Sequence, residues 1–559
     1  MSTGHAVAIS QSQETATALP AMFRAQESTV GAPSLTYCAV LALARNMDTI
    51  SSLQGVPQEL VQELFSMLVS THLLAHKHLP LLVSVDDARL NSYPGLSDDW
   101  LAYIGARFTR LTRLDLTNCI DCTDEGARHL RQLNLLKTLT VDRCLRQGDA
   151  ALQAFARLTT LRTLSVGSCT RMASPGVACL TSLLGLTDLN LEQLARLDAD
   201  GLRPLSVLTD LRALNLGWTC TTDDALPVLA HFKALKQLNL SACPFSDEAV
   251  PFLCSLISLE SLQLVACKGG SATSLAALSL LTRLRVLNLN QCEQVTDETL
   301  AGLHALTSLR VLALAHTQVT DTSMAYLSSL YQLRTLNLDC CHITNGGLQL
   351  IADLTSMQTL NLADNAITSA GVAMLTSLTG LTELNLFSTG ASDVGLAPLW
   401  HLLQLRSLNL DSRLISDHGL LHITRLTNLR TLDLFGARVS RSGAEAIGKL
   451  TGLTCLENCG GGMTDDAVEA MQGLTNLRLL NLSQNELLGN PAVSYLERMT
   501  SLTSLNLAGT SVTTQGAARL TALSQLTSLC VSGCRVNKQV LSALQHMPSM
   551  LYLTAEPNA

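Results

Sequence analysis

Between Leu309 and Leu330 the chain reads LRVLALAHTQVTDTSMAYLSSL, and its apolar residues change period halfway. Leu309, Leu312 and Leu314 form an L-x-x-L-x-L segment in which Val311 and Ala313 point to the opposite face, the period of two expected of a strand. Thr317 falls at the following turn. Thr320 is placed to cap a short helix, with Asp321 in its first turn to meet free N–H groups and the positive end of the dipole. Met324, Leu327 and Leu330, three residues apart, give that helix an inward stripe. A single strand–helix coil leaves its apolar edges uncovered, so the pattern predicts copies stacked above and below it.

The copies are present. Eighteen segments of this kind begin at positions from Leu111 to Leu526, once with Met357 as the first residue, in steps of 24 or 25, and a worn nineteenth begins at Met550. Leu90 marks a degraded leading strand and Ser97–Phe108 its helix. Residues 79–559 therefore predict one solenoid of 18–19 coils, whose wider helical side bends the parallel sheet into a horseshoe. Residues 34–78 predict a small helical unit, with helices over Leu35–Asn46 and Pro57–Ala75. Residues 1–33, rich in Ser, Thr, Ala and Gln without a hydrophobic period, read as a disordered tail. One coil, LTCLENCGGGMTDD, departs from the pattern: Asn458 replaces an inward leucine and Gly460–Gly462 loosen the turn. It reads as a decayed repeat, with a ligand-admitting bend as the alternative.

Composition changes this picture only at the margins. Apolar residues make up 47% and aromatics 3%, the signature of a leucine-stacked interior. A net charge of −8 gives no reason to expect a nucleic-acid partner. The first residues lack a basic stretch followed by an apolar core, and no run of about 18 uncharged apolar residues occurs. No secretory leader, membrane span or membrane partner is expected, and the expected location is cytoplasmic or nuclear. Of 17 cysteines, eight (Cys119, Cys144, Cys169, Cys243, Cys267, Cys292, Cys341 and Cys534) fall eight residues after a first leucine. One repeated coil position is not a disulfide framework, so free buried thiols bonded between coils are expected. Phosphate loops, nucleophile elbows and His-Glu-x-x-His are missing, so neither an enzyme nor a cofactor is expected. Cys340–Cys341–His342 reads as a strand end rather than a metal site, and His72, His76 and His78 as a solvated helix end.

With their L-x-x-L-x-L-x-x-C strands and T-D-x-x-L helix starts, the coils resemble the cysteine-containing leucine-rich repeats of F-box receptors of ubiquitin ligases. The resemblance covers roughly residues 90–559 and implies an α/β leucine-rich-repeat solenoid, with a parallel concave sheet and short convex helices. Val56–Leu68, VPQELVQELFSML, looks like an F-box opening, and also like the cullin-contacting half of a von Hippel–Lindau-type box. Ser34–Cys38, SLTYC, resembles that box's elongin-binding half, but two residues rather than three separate Leu35 from Cys38. Either box implies docking of a cullin-ligase adaptor through residues 34–68, with Leu35, Cys38, Val56, Pro57, Leu60, Leu64 and Phe65 as contacts. The alternative is a plain scaffold or inhibitor-like binding protein whose helices only cap the solenoid.

Positions two, four and six after each first leucine face the predicted concavity. They carry nine acids and one base, Arg113, and ten of the fourth positions are Asn. The position after the first leucine is often basic, giving an acidic floor and a basic rim that reads as solvated. At position six, Phe387 and Phe435 flank Asp411, with Glu383, Asp433 and Asp339 nearby. These residues predict a protein-binding site for a basic side chain, with Trp218 as the rival centre toward the N-terminus.

Overall fold

The computed structural model describes residues 35–410 and 414–555; the expected tail over 1–33 and the site residue Asp411 lie outside them. Twenty three-residue strands, β1 (Asp87–Arg89) through β20 (Tyr552–Thr554), form one open parallel sheet in chain order. Register never slips: Leu312 lies between Leu287 and Leu336, so equivalent leucines form columns. Each is essentially inaccessible to solvent, and burying one stabilises the stack by about 2 kcal/mol. Twenty strands exceed the expected 18–19 coils because a leading coil with Val85, Ala88 and Leu90 in the leucine places is fully formed.

Seven residues after the first leucine, the chain leaves the strand through a left-handed residue in coil after coil, among them Asn118, Trp218, His316 and Gly509. The N–H of that residue donates to the next coil, as from His316 to the Asp339 carbonyl at 2.8 Å. Non-glycine residues tolerate the conformation because an inter-coil bond holds each one.

Two side-chain ladders join the coils. On the sheet side, each of the eight buried thiols donates to a carbonyl of the preceding coil, such as Cys292 to Leu264 at 2.9 Å and Cys144 to Leu116 at 3.2 Å. Burial pushes the Cys292 thiol up to about 11, so it remains a protonated donor. Asn365 and Asn485 do the same with amides, reaching the Leu338 and Asn458 carbonyls while accepting from the Ile343 and Met463 N–H groups.

On the helical side the acids do not serve their own helix, as expected, but the next one. Asp321 accepts from the Thr344 N–H at 2.8 Å and from the Thr344 hydroxyl, and Asp393 receives the Ser416 N–H in the same way. This reach explains a glycine that the sequence reading passed over, three residues after the Ser/Thr cap. A Cβ on Gly347 would lie 2.5 Å from Asp321 Oδ1, and Gly371, Gly419 and Gly443 face the same crowding from Asn345, Asp393 and Asp417.

At the N-terminal end, α1 (Leu35–Arg45) packs on α2 (Gln58–Ser70), and α2 packs on β1. Gln62 of α2 donates to the Asp87 carbonyl at 2.7 Å and accepts from the Asp86 and Asp87 N–H groups, capping the start of the open sheet edge. α2 ends at Ser70 rather than Ala75. His72 is left-handed, and the Leu73 and Leu74 N–H groups turn back to the Leu68 carbonyl, a Schellman-type stop. Of the histidines expected at a solvated helix end, His72 and His76 are exposed, His76 against the rings of Trp100 and Tyr103. One is corrected: His78 is buried, with Nε2 2.8 Å from Asp48 and Nδ1 accepting the Ala75 N–H. The irregular coil keeps its strand in register with both neighbours, so the missing leucine produces no break in the sheet. Asn458 is fully buried there, and its side-chain amide has no hydrogen-bond partner among the described residues.

The acid–glycine contact makes a quantitative prediction. Gly347→Ala should cost about 1–3 kcal/mol through overpacking, and Asp321→Ala about 1–2 kcal/mol through lost hydrogen bonds. Because Asp321 is itself the obstacle, the double variant should cost less than the sum by at least ~0.5 kcal/mol. Chemical denaturation of the four proteins measures this coupling, and strict additivity would contradict it.

Candidate protein-binding face

The solvated face of the sheet is built from positions two, four and six of each coil, because the residues between them are the buried leucines. Its asparagines prove to be structural first. In nine of the ten such coils, all those whose position six is described, the position-four side-chain oxygen accepts from the N–H of position six, as Asn385 does from Phe387 at 2.9 Å and Asn337 from Asp339 at 3.1 Å. The amide oxygens that looked available to a partner are therefore occupied, which leaves mainly NH₂ groups on the face.

Where Asn gives way to an acid, the balance changes. Asp433 on β15 (Thr431–Asp433) accepts from the Phe435 N–H at 3.1 Å, and its other oxygen accepts from Asn409 Nδ2 at 3.1 Å. Directly beside it in register is Glu457, which in turn accepts from Asn481 at 3.3 Å. Among the described residues no Lys, Arg or His lies within 4 Å of either carboxylate. Burial, with the Glu457 charge adding to it, holds the Asp433 carboxyl above the usual range. Glu457 was not among the expected site residues, although its signal was legible: it occupies position four of the coil after Asp433.

Phe387 and Phe435 are 37% and 43% exposed, two coils apart on the same column. Position six of the coil between them is Asp411, outside the described residues. Glu383 is exposed at the start of β13 (Glu383–Asn385), 3.4 Å from the Thr359 hydroxyl. Asp339 is half-buried, raised above its ordinary value by burial, with His316 4.0 Å away opposing the shift. Trp218 stands apart from these residues: it is exposed at a left-handed turn beyond the end of its strand, seven coils and ~34 Å from Phe387 at strand spacing. A shallow hollow of about 460 Å³ lies on the same face between Thr163 and Gln263, with Asn190, Asn215 and Asn239 among its lining residues and Asp188 as its one charged side chain.

At the N-terminal unit the box-like residues separate. Leu35, Cys38 and Pro57 are exposed, Val56 and Leu60 are half-buried, and Leu64 and Phe65 lie inside the chain's own core. Cys340 is exposed at a left-handed turn whereas Cys341 bonds inward to the Leu314 carbonyl, so Cys340–Cys341–His342 does not converge. Among the described residues no three His, Cys, Asp or Glu side chains are disposed to hold a metal ion.

Residues 331–390 match a family model described as leucine rich repeat, and residues 425–448 match a second model of that description. The fold is a leucine-rich-repeat solenoid. No curated protein sequence matches the chain. Similar solved structures include an internalin from Listeria monocytogenes, 23% identical, covering 67% of this chain and 87% of that one, with a TM-score of 0.39. A leucine-rich-repeat protein of Leptospira interrogans is 19% identical, covering 77% and 98%, with a TM-score of 0.43. A plant peptide hormone receptor, solved in complex with RGF2, is 16% identical, covering 85% and 90%, with a TM-score of 0.35.

The raised Asp433 carboxyl has a definite sign. Its folded value lies above its unfolded one, so its contribution favours the fold below the ordinary Asp range and is lost as pH rises through the raised value. Asp433→Asn, the residue that ten coils already carry at this position, should raise the melting temperature at pH 7 by about 1 °C. The gain should shrink as pH falls through the carboxylate range; a variant less stable than the parent at pH 7 would show that Asp433 is not under strain.

Proposed function

We propose that this solenoid is a non-catalytic recognition protein that holds a basic segment of a protein partner on its sheet face, over Phe387 and Phe435. One observation carries the reading: two exposed rings share a column with the coil that holds Asp433, and among the described residues no Lys, Arg or His lies within 4 Å of the Asp433–Glu457 pair. Rings two coils apart are ~10 Å from one another, within reach of one bound side chain. An incoming Lys or Arg would stack on a ring and neutralise the acids. Aromatic anchors ringed by polar groups are typically worth ~2 kcal/mol or more each. Phe387→Ala/Phe435→Ala should leave the melting temperature nearly unchanged and weaken the principal protein partner recovered by affinity purification at least roughly tenfold. Intact affinity in that variant, with loss in Trp218→Ala, would move the site to the other end of the array.

A finer reading makes the protein a substrate receptor of a cullin-type ubiquitin ligase, cytoplasmic or nuclear, docked through residues 34–68. Its support is the box-like segment joined directly to the repeats, with Leu35, Cys38 and Pro57 on the free surface. Because Leu64 and Phe65 pack inward, docking would rest on those exposed residues and on the half-buried Val56 and Leu60. The competing reading, a scaffold closed by α1 and α2, has the Gln62 bonds to β1 in its favour. Affinity purification with Pro57→Ala/Leu60→Ala beside the parent separates them. Loss of cullin-associated partners from the variant alone supports docking, and their retention, or their absence from the parent, leaves the cap.

A further inference from the structure

The strict register that stacks leucines also stacks charge. Each coil passes from its helix back to its strand through seven residues, from five before the first leucine to one after it. Across the nineteen coils from Leu111 to Met550 this edge carries nineteen Lys and Arg, all exposed, and only four Asp and Glu. That is +15 on a chain whose total is −8, so the remainder carries −23. The residues after successive first leucines are locked side by side, since Arg310 N–H donates to the Arg285 carbonyl at 2.8 Å and its own carbonyl accepts from Arg334 at 2.8 Å. Among the described residues only Lys236 and Arg285 of the nineteen lie within 4 Å of a carboxylate, both that of Glu260.

At one position of this edge exposed apolar side chains recur at regular intervals. Two residues before the first leucine, eleven coils have Thr, but coils four, seven, ten and thirteen have Leu184, Ile257, Tyr331 and Leu403. These are 61%, 67%, 67% and 50% exposed. Three coils separate each from the next, ~14 Å at strand spacing.

We infer that this edge docks on an anionic lipid surface. Basic side chains near such a surface are attracted by about 1 kcal/mol each, and single apolar side chains between them enter the headgroup region without needing a shaped pocket. A protein hot spot would cluster its anchors, whereas these are dispersed along ~43 Å. Nucleic acid would reward stacking aromatics, whereas three of the four are aliphatic. The expectation of no membrane partner rested on the lack of a secretory leader and of a spanning segment. No described helix is long and apolar enough to cross a membrane, but an edge that lies on the surface needs neither a span nor a positive total.

Co-sedimentation with phosphatidylcholine vesicles, with and without phosphatidylserine, tests the inference on the full chain. The parent should bind only the phosphatidylserine vesicles and release them at about 0.5 M salt. Two variants reuse residues that the coils already carry at the same places, so the fold is preserved. Arg310→Gln/Arg334→Gln/Arg406→Gln/Arg478→Gln should weaken binding at least roughly tenfold, and Leu184→Thr/Ile257→Thr/Tyr331→Thr/Leu403→Thr by a similar factor. Equal parent binding to both vesicles, or a glutamine variant that binds as the parent does, would overturn the inference. So would a threonine variant that binds like the parent while the glutamine variant fails, because charge alone would then assign the edge to an acidic protein surface.

Discussion

Every feature of this molecule depends on one coil lying on the next in unbroken register. A coil of 24 or 25 residues has no interior of its own. Its leucines are buried only between neighbours, and its turns are held by the N–H groups and carbonyls of adjacent coils. The side-chain ladders serve that constraint: thiols and amides bond across the sheet side, and Asp321 and its equivalents bond across the helical side. Even the glycines after the helix caps belong to it, because a carboxylate from the previous coil occupies the space that a Cβ would need. Such a stack has two vulnerable ends, and at the first of them Gln62 supplies the hydrogen bonds that a preceding coil would have made.

Register also governs where chemistry can be displayed. Once inward positions belong to leucine and position four to a structural asparagine, few places remain for recognition. Those places recur at strand spacing, so one substitution is a point and a run of substitutions is a line. Asp433 and Glu457 are such a run, two acids replacing asparagine in adjacent coils, and the Asp433 carboxyl is raised by its burial, with the neighbouring charge adding to the shift. The basic edge is a longer line of the same kind. Its charge is invisible in the total because the acids are spread over the rest of the chain.

The sequence by itself determined the repeat, its period, the parallel sheet and the free thiols, because strand and helix periodicities repeat with almost no insertion from Leu111 onward. It also placed Phe387 and Phe435 on one column, since alternation along a strand is a local property. What needed the tertiary structure were contacts between residues about 24 positions apart whose partners no local pattern names. Asp321 was read as serving its own helix, and only the stacked coils show it holding Thr344 and forbidding a side chain at Gly347. The asparagine lining was read as free donors and acceptors, and only the turn geometry shows the oxygens committed to position six wherever that position is described. The box-like Leu64 and Phe65 face inward for the same reason: an amphipathic helix announces that it has an apolar face, whereas what covers that face is decided by the nearest apolar surface once the chain has folded.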